Sequence, residues 1–180
     1  PEVAQDSDVY KSVPFVDGAK VLCGGEVKPW TGPCADVISP VYLAETGHQV
    51  KIGKQATLST DASVEAVQAA AKAWGRGRGP WPTKTLEQRI GAVEALVVKL
   101  KALRSEIVSV LQWEICKNDA DAAKEFDRTM DFVAALISAA RDMSGKGIVC
   151  EEGVHAVLKR APVGVMLNLG PSNYPFNETY

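Results

Sequence analysis

No apolar run in this chain reaches the roughly 18 residues that cross a bilayer, and the opening PEVAQDSDVY is acidic where a secretion signal is basic and then apolar. A soluble protein with no membrane partner is expected. Histidine is scarce, with only His48 and His155, and the four cysteines, Cys23, Cys34, Cys116 and Cys150, lie far apart. None of them forms a CxxC or a Cys/His pair with metal-ligand spacing, so neither a disulfide scaffold nor a metal site is expected, and a reducing, cytoplasmic setting is the simpler reading. An excess of one charge is missing too: 20 basic side chains face 22 acidic ones, for a net charge of −2. The one basic cluster, WGRGRGPW at 74–81, reads as a glycine-rich surface loop. Nucleic acid is therefore not the expected partner.

What is present is the composition of a folded domain, with 46% hydrophobic and 23% charged residues over 180 positions. The length suits one domain, or one and part of another. The chain starts on Pro1 rather than Met, which suggests processing or a longer product.

Residues 13–58 are β-rich by pattern. VPFVDGAKVLCGGEVKPW is divided by Asp17-Gly18 and Gly24-Gly25, both hairpin signals, and two or three antiparallel strands are predicted. In DVISPVY, Pro40 breaks the run and predicts an edge or a strand end. The period then changes. Thr60 or Asp61 caps a helix whose Val64, Val67, Ala71 and Trp74 share a face, and Gly75 ends it. Thr85 with Gln88 forms a capping box for a second helix, with a stripe from Ile90 to Leu111 that bends and restarts near Ser105-Glu106. A third helix carries Phe126, Met130, Val133, Ala134 and Ile137 on one face, with Gly145 and Gly147 closing it. GIVC and the run from Val154 onward then return to strand pattern. The last strand, 163–169, is apolar on both faces, as in the interior of a parallel sheet covered by helices. Such sheets bind ligands beyond the carboxyl ends of their strands, which is where GPSNYP lies.

RAPVGVMLNLGPSNYPFNETY resembles the stretch of the aldehyde dehydrogenase superfamily that reads Pro-x-Gly-Val, five residues, Pro-x-Asn-x-Pro, matched by Pro162, Gly164, Val165, Pro171, Asn173 and Pro175. Upstream, ISPVY, TLEQR and WEICK stand where that family has an Asn-Pro-Ala-Thr-like element, a capped helix with arginine, and Glu-x-Gly-Lys. Within the family, Asn-Tyr-Pro-x-Asn and EFDRTMD are most similar to the NADP-dependent, non-phosphorylating glyceraldehyde-3-phosphate dehydrogenases. WEICKND departs from the pattern, with Ile115-Cys116 where Thr-Gly is usual.

The resemblance implies an α/β fold, the N-terminal portion of an aldehyde dehydrogenase. A β-rich, oligomerising segment would cover 1–60, a helical layer of the dinucleotide-binding domain 61–145, and strands leading into the cofactor and active-site loop 146–180. It implies a homo-oligomer, a homotetramer in the branch named, that oxidises glyceraldehyde 3-phosphate with NADP, or with NAD. Asn173 would be catalytic, its amide aimed at the oxyanion of a thiohemiacetal. The backbone of Leu169, Gly170, Pro171 and Ser172 would line the cofactor. Arg128, Asn173 and Tyr174 would meet the substrate, Arg128 by pairing with phosphate oxygens. For Arg128 the plainer alternative is an exposed helix arginine paired with Glu125 or Glu114. The nucleophilic cysteine and the glutamate that activates water follow this motif in the family, and Cys116 and Cys150 match no nucleophile motif. The 180 residues alone are therefore expected to be inactive. Two other readings stand beside this one: a short, inactive relative acting as a structural or interaction subunit, and an aldehyde dehydrogenase for a different aldehyde.

Overall fold

The computed structural model describes residues 1–144, 147–157 and 160–179. Its first layer is a four-stranded sheet in the order β1-β5-β6-β2, made of β1 (Glu2–Val3), β2 (Val16–Gly18), β5 (Cys34–Leu43) and β6 (Gln49–Ala56). The central pair, β5 and β6, is antiparallel; β1 runs parallel to β5, and β2 parallel to β6. A short helix α1 (Asp8–Lys11), with Ser7 as its cap, links β1 to β2. A separate hairpin of β3 (Lys20–Cys23) and β4 (Glu26–Pro29) turns at Gly24-Gly25, both at positive φ, as predicted.

Asp17-Gly18 makes no hairpin. It belongs to β2, where a Cβ on Gly18 would stand 2.5 Å from the Lys54 carbonyl oxygen, so glycine is there for strand approach rather than for a turn. Pro40 likewise ends nothing. It sits inside the ten-residue β5, within the register shift between Ile38 and Tyr42, where an irregular ladder tolerates a residue without an N–H. That irregularity turns the buried Ser39 towards the helices, and its Oγ donates to the Trp113 carbonyl oxygen at 2.5 Å while accepting from the Val41 N–H.

The helices follow as α2 (Thr60–Trp74), α3 (Leu86–Ala102), α4 (Arg104–Ile115) and α5 (Asp119–Ser144). Ser59, not Thr60 or Asp61, caps α2: its Oγ accepts from the Ala62 N–H. The face of α2 differs as well. Val64, Val67 and Ala71 are exposed, whereas Ala62, Ala66 and Ala69 are half-buried, since small side chains let the β3–β4 hairpin come close. Gly75 ends α2 in the left-handed conformation, as predicted. For α3, both bonds of the Thr85–Gln88 capping box are present. The helical run breaks at Leu103, two residues before the predicted restart, and no side chain caps α4.

The core sits on either side of α4. Trp113 packs with Val3, Val50 and Ile52 of the sheet, while Val108 and Leu111 pack with Ala122, Phe126 and Met130 of α5. Leu111 and Trp113 are two residues apart, which puts them on opposite sides of a helix of about 3.6 residues per turn. One short helix thus joins the two halves of the molecule.

Beyond α5, β7 (Ile148–Glu151) and β8 (Val154–Val157) form an exposed antiparallel hairpin in which Cys150 and His155 are cross-strand partners, Sγ to Nε2 4.0 Å. Gly145 and the residues joining β8 to Arg160 lie outside the described residues. The predicted strand 163–169 pairs with no strand among the described residues, and Val163 and Leu167 are 92% and 82% exposed. A parallel strand gets its hydrogen bonds from its neighbours, and no described strand lies alongside this one.

Candidate active site

The site is assembled where α4 gives way to α5. Cys116 ends α4 at φ 54°, in the left-handed region usually occupied by glycine, so the chain reverses there despite the side chain. Asn118 then accepts the Asp121 N–H through Oδ1 at 2.8 Å, in the manner of a helix cap, and α5 begins. Between the two helices, Lys117 projects toward the closing loop.

One face of α5 presents Ala122, Glu125, Phe126, Thr129 and Met130, all buried. Loop 171–179 lies against this face. The Phe176 ring stacks on Phe126 with centroids 5.4 Å apart and completes the core. Next to it, Glu125 Oε1 accepts the backbone N–H groups of Phe176 and Asn177 at 3.0 and 3.1 Å. The other carboxylate oxygen, Oε2, pairs with Lys117 Nζ, and the same ammonium stands 3.9 Å from the centre of the Tyr174 ring. One turn along, Thr129 donates to the Glu125 carbonyl oxygen at 2.7 Å and lies 3.2 Å from Asn177 Oδ1. The loop closes on itself at Gly170, where a Cβ would stand 2.2 Å from the Thr179 Oγ1.

Beside the loop is a cavity of about 190 Å³ lined by Lys117, Asp121, Lys124, Arg128, Tyr174 and Asn177, with Glu125 at its base. Its cations outnumber its carboxylates. Glu125 is taken by Lys117, and Asp121 is held by the Asn118 amide. Arg128 makes no ion pair among the described residues, so the Glu125 partner considered from the sequence goes to Lys117 instead. Arg128 and Tyr174 therefore meet at one cavity although 46 positions separate them in the chain. Asn173, adjacent to Tyr174, is exposed, as are Leu169, Gly170, Pro171 and Ser172, which leaves their backbone open to a ligand. Sequence reasoning missed Lys117, Thr129 and the structural part played by Glu125. A usable signal existed: Glu125 lies one turn before Thr129 and next to Phe126, so a charged group borders the apolar stripe of α5.

The aldehyde dehydrogenase family profile matches residues 30–179, most of the chain and all of this site. The chain belongs to the aldehyde dehydrogenase family. Among its curated relatives, the N-succinylglutamate 5-semialdehyde dehydrogenase of Pseudomonas fluorescens (strain Pf0-1) is 33% identical over 118 residues, which is 65% of this chain and 23% of that one. The enzyme of the same name from Chromobacterium violaceum is 25% identical over 161 residues, 89% of this chain and 30% of that one. This aldehyde dehydrogenase family chain thus spans about a quarter to a third of the length of these relatives. In fold it is similar to the NADP-dependent glyceraldehyde-3-phosphate dehydrogenase of Bacillus halodurans C-125, solved with NADP, at a TM-score of 0.71 and 21% identity, over 91% of this chain and 34% of that one. It is also similar to an NAD-dependent aldehyde dehydrogenase of Sinorhizobium meliloti, at a TM-score of 0.65 and 24% identity over 78% and 27%. The α/β architecture is that of the N-terminal portion of the family fold.

Proposed function

We propose that this chain forms the substrate-anchoring part of an NAD(P)-dependent oxidoreductase for an aldehyde that carries an anionic group, with glyceraldehyde 3-phosphate as the first candidate and 3-phosphoglycerate as its product. The observation that carries the reading is Arg128, a cation with no ion pair among the described residues, facing a cavity shared with Lys124 and Tyr174. A guanidinium offers two parallel donors to phosphate or carboxylate oxygens, and Lys124 adds charge without geometry. The Tyr174 hydroxyl adds a neutral donor. Such an anchor holds the anionic end of the substrate while the aldehyde end lies towards Asn173.

At the aldehyde end, attack by a thiolate turns the carbonyl oxygen into an oxyanion. The Asn173 amide, an uncharged donor, stabilises that charge where it develops, an effect of about 2.7–4 kcal/mol for one such donor. The exposed stretch Leu169, Gly170, Pro171 and Ser172 would hold the nicotinamide cofactor through its backbone. When bound, that cofactor supplies the hydride acceptor. NADP and NAD each occur with a structural relative, so both are carried forward.

A second reading rests on the sequence relatives: an N-acylated, carboxylate-bearing semialdehyde. The same cations would serve it. Steady-state assays of the full-length gene product separate the two, with NADP and NAD and both aldehydes. Activity on glyceraldehyde 3-phosphate supports the first reading; a preference for the semialdehyde moves the assignment to the second. Purified, folded product inactive on both would favour a non-catalytic relative. Arg128→Leu is expected to raise KM for the anionic aldehyde by about 10- to 100-fold, the worth of a charged hydrogen bond, while leaving an uncharged aldehyde nearly unaffected. An unchanged KM would remove Arg128 from the site.

The β7–β8 hairpin exposes Ile148, Val154 and Val157, which supports a homo-oligomer built through this segment. Light scattering of the full-length product tests it, and a monomer at micromolar concentration would speak against it.

A further inference from the structure

We propose that Glu125 is a positioning residue: clamped by Lys117, its carboxylate sets the backbone of residues 174–177 and thereby the aim of the Asn173 amide and the Tyr174 ring. The inference rests on the functional reading above for its kinetic consequence, and on geometry alone for the clamp.

A carboxylate whose side chain is 1% exposed is expensive to bury unless donors surround it. Glu125 has three: the N–H groups of Phe176 and Asn177 on Oε1, and the Lys117 ammonium on Oε2. For stability alone an apolar side chain would serve as well or better, because a buried ion pair is often no more stabilising than well-packed hydrocarbon. Phe176 already attaches the loop to the core by stacking on Phe126. Hydrophobic contact, however, is non-directional and leaves the loop free to rock about the ring. Two adjacent N–H groups converging on one oxygen remove that freedom. Asn173 is three residues upstream of Phe176, and a functional amide has to be held to within about 0.5 Å of its working position. Lys117 extends the clamp in the other direction, since the ammonium that pairs with Glu125 also lies over the Tyr174 ring. Glu125 itself touches no substrate in this arrangement. It acts through the loop.

The test uses the full-length gene product with Glu125→Gln, Glu125→Ala and Lys117→Met. The first readout needs no activity: amide exchange at Phe176 and Asn177, with residues around Val108 and Leu111 as an internal standard of global stability. Loss of the charged acceptor is expected to speed exchange at the two loop amides by about tenfold or more relative to that standard, with Glu125→Gln between wild type and Glu125→Ala. Equal exchange in all variants would overturn the clamp, and Glu125→Gln suffices for this if Glu125→Ala does not fold. The second readout is kcat for aldehyde per active site titrated by the burst of reduced nicotinamide. Misplacing Asn173 lowers kcat per titrated site, by about 10²-fold in Glu125→Ala, with partial recovery in Glu125→Gln. A purely structural role would lower the number of titrated sites and leave kcat per site unchanged, which would overturn the proposal. If wild type oxidises no aldehyde while the two amides respond as described, the functional reading fails and the clamp stands.

Discussion

Cys116 takes a left-handed backbone, φ 54°, at the end of α4, where the family pattern has glycine. A side chain in that conformation is strained by about 1 kcal/mol, part of which glycine returns through a larger unfolded-state entropy. Cys116→Gly is therefore expected to stabilise the protein by about 0.5–1 kcal/mol, read from denaturant midpoints at constant slope. Destabilisation would show that the thiol makes a contact that offsets the strain. Ser39 is the counterpart on the sheet side, fully buried with its hydroxyl on the Trp113 carbonyl. Ser39→Ala leaves that carbonyl without its donor, and a loss of about 1–3 kcal/mol is expected by the same measurement. Neither effect could be read from spacing. Cys116 stands out in the sequence only as a departure from the family's Thr-Gly, and a serine before a proline looks ordinary until its partners are known.

The elements with strong local signals are those the chain announces. Thr85 and Gln88 satisfy each other's backbone donors within four residues, so no tertiary context is needed, and Gly24-Gly25 supplies two positive φ angles for a tight turn. Thr85→Ala should lower stability by about 1 kcal/mol, and a loss in far-UV helicity on melting should begin at α3. Phe176 is different in kind. It joins loop 171–179 to α4 and α5 by packing across some 50 positions, and Phe176→Ala is expected to reduce stability by about 3–5 kcal/mol. A loss below about 1 kcal/mol would mean the loop is held by the Glu125 bonds alone. Elements were misread where a local rule had a tertiary competitor. Asp17-Gly18 satisfies turn chemistry but serves a parallel pairing with β6, and Pro40 satisfies the edge rule but sits at an irregularity within a central strand.

At the scale of the molecule, ion pairs tie the helical layer together. Arg104 and Asp127 join α4 to α5 through two hydrogen bonds, at 2.8 and 2.7 Å, and Arg141 reaches Glu87 and Glu94 of α3. The guanidinium beside it holds the Asp127 carboxyl below its ordinary value of 3.8, and the Ala19 N–H, then Lys54, do the same for Asp17. Carboxyls that titrate lower in the folded than in the unfolded chain lend stability that is complete above the unfolded value and is lost as pH falls through the folded one. Tm is therefore expected to be flat from neutral pH to about 5 and to fall below about 4. Asp127→Asn should make that acid decline shallower, and a decline parallel to the parent's would sink the assignment. These pairs are exposed, so their effect at neutral pH is small and weakened by salt.

The sequence by itself determined the Thr85–Gln88 capping box that starts α3, the Gly75 stop of α2, the hairpin at Gly24-Gly25, and the Pro-x-Asn-x-Pro stretch that carries the family resemblance. Local rules suffice there because the interacting groups are covalently close. Only the tertiary structure decided which apolar faces are buried, that Val64 and Val67 stay in water, and that residues 163–169 have no strand beside them among the described residues. It also brought Lys117, Glu125, Arg128 and Tyr174 to one cavity and assigned Glu125 to Lys117 rather than to Arg128. Pairings of that kind depend on which of several nearby charges reaches the buried group with the best geometry, and sequence separation carries no information about that distance.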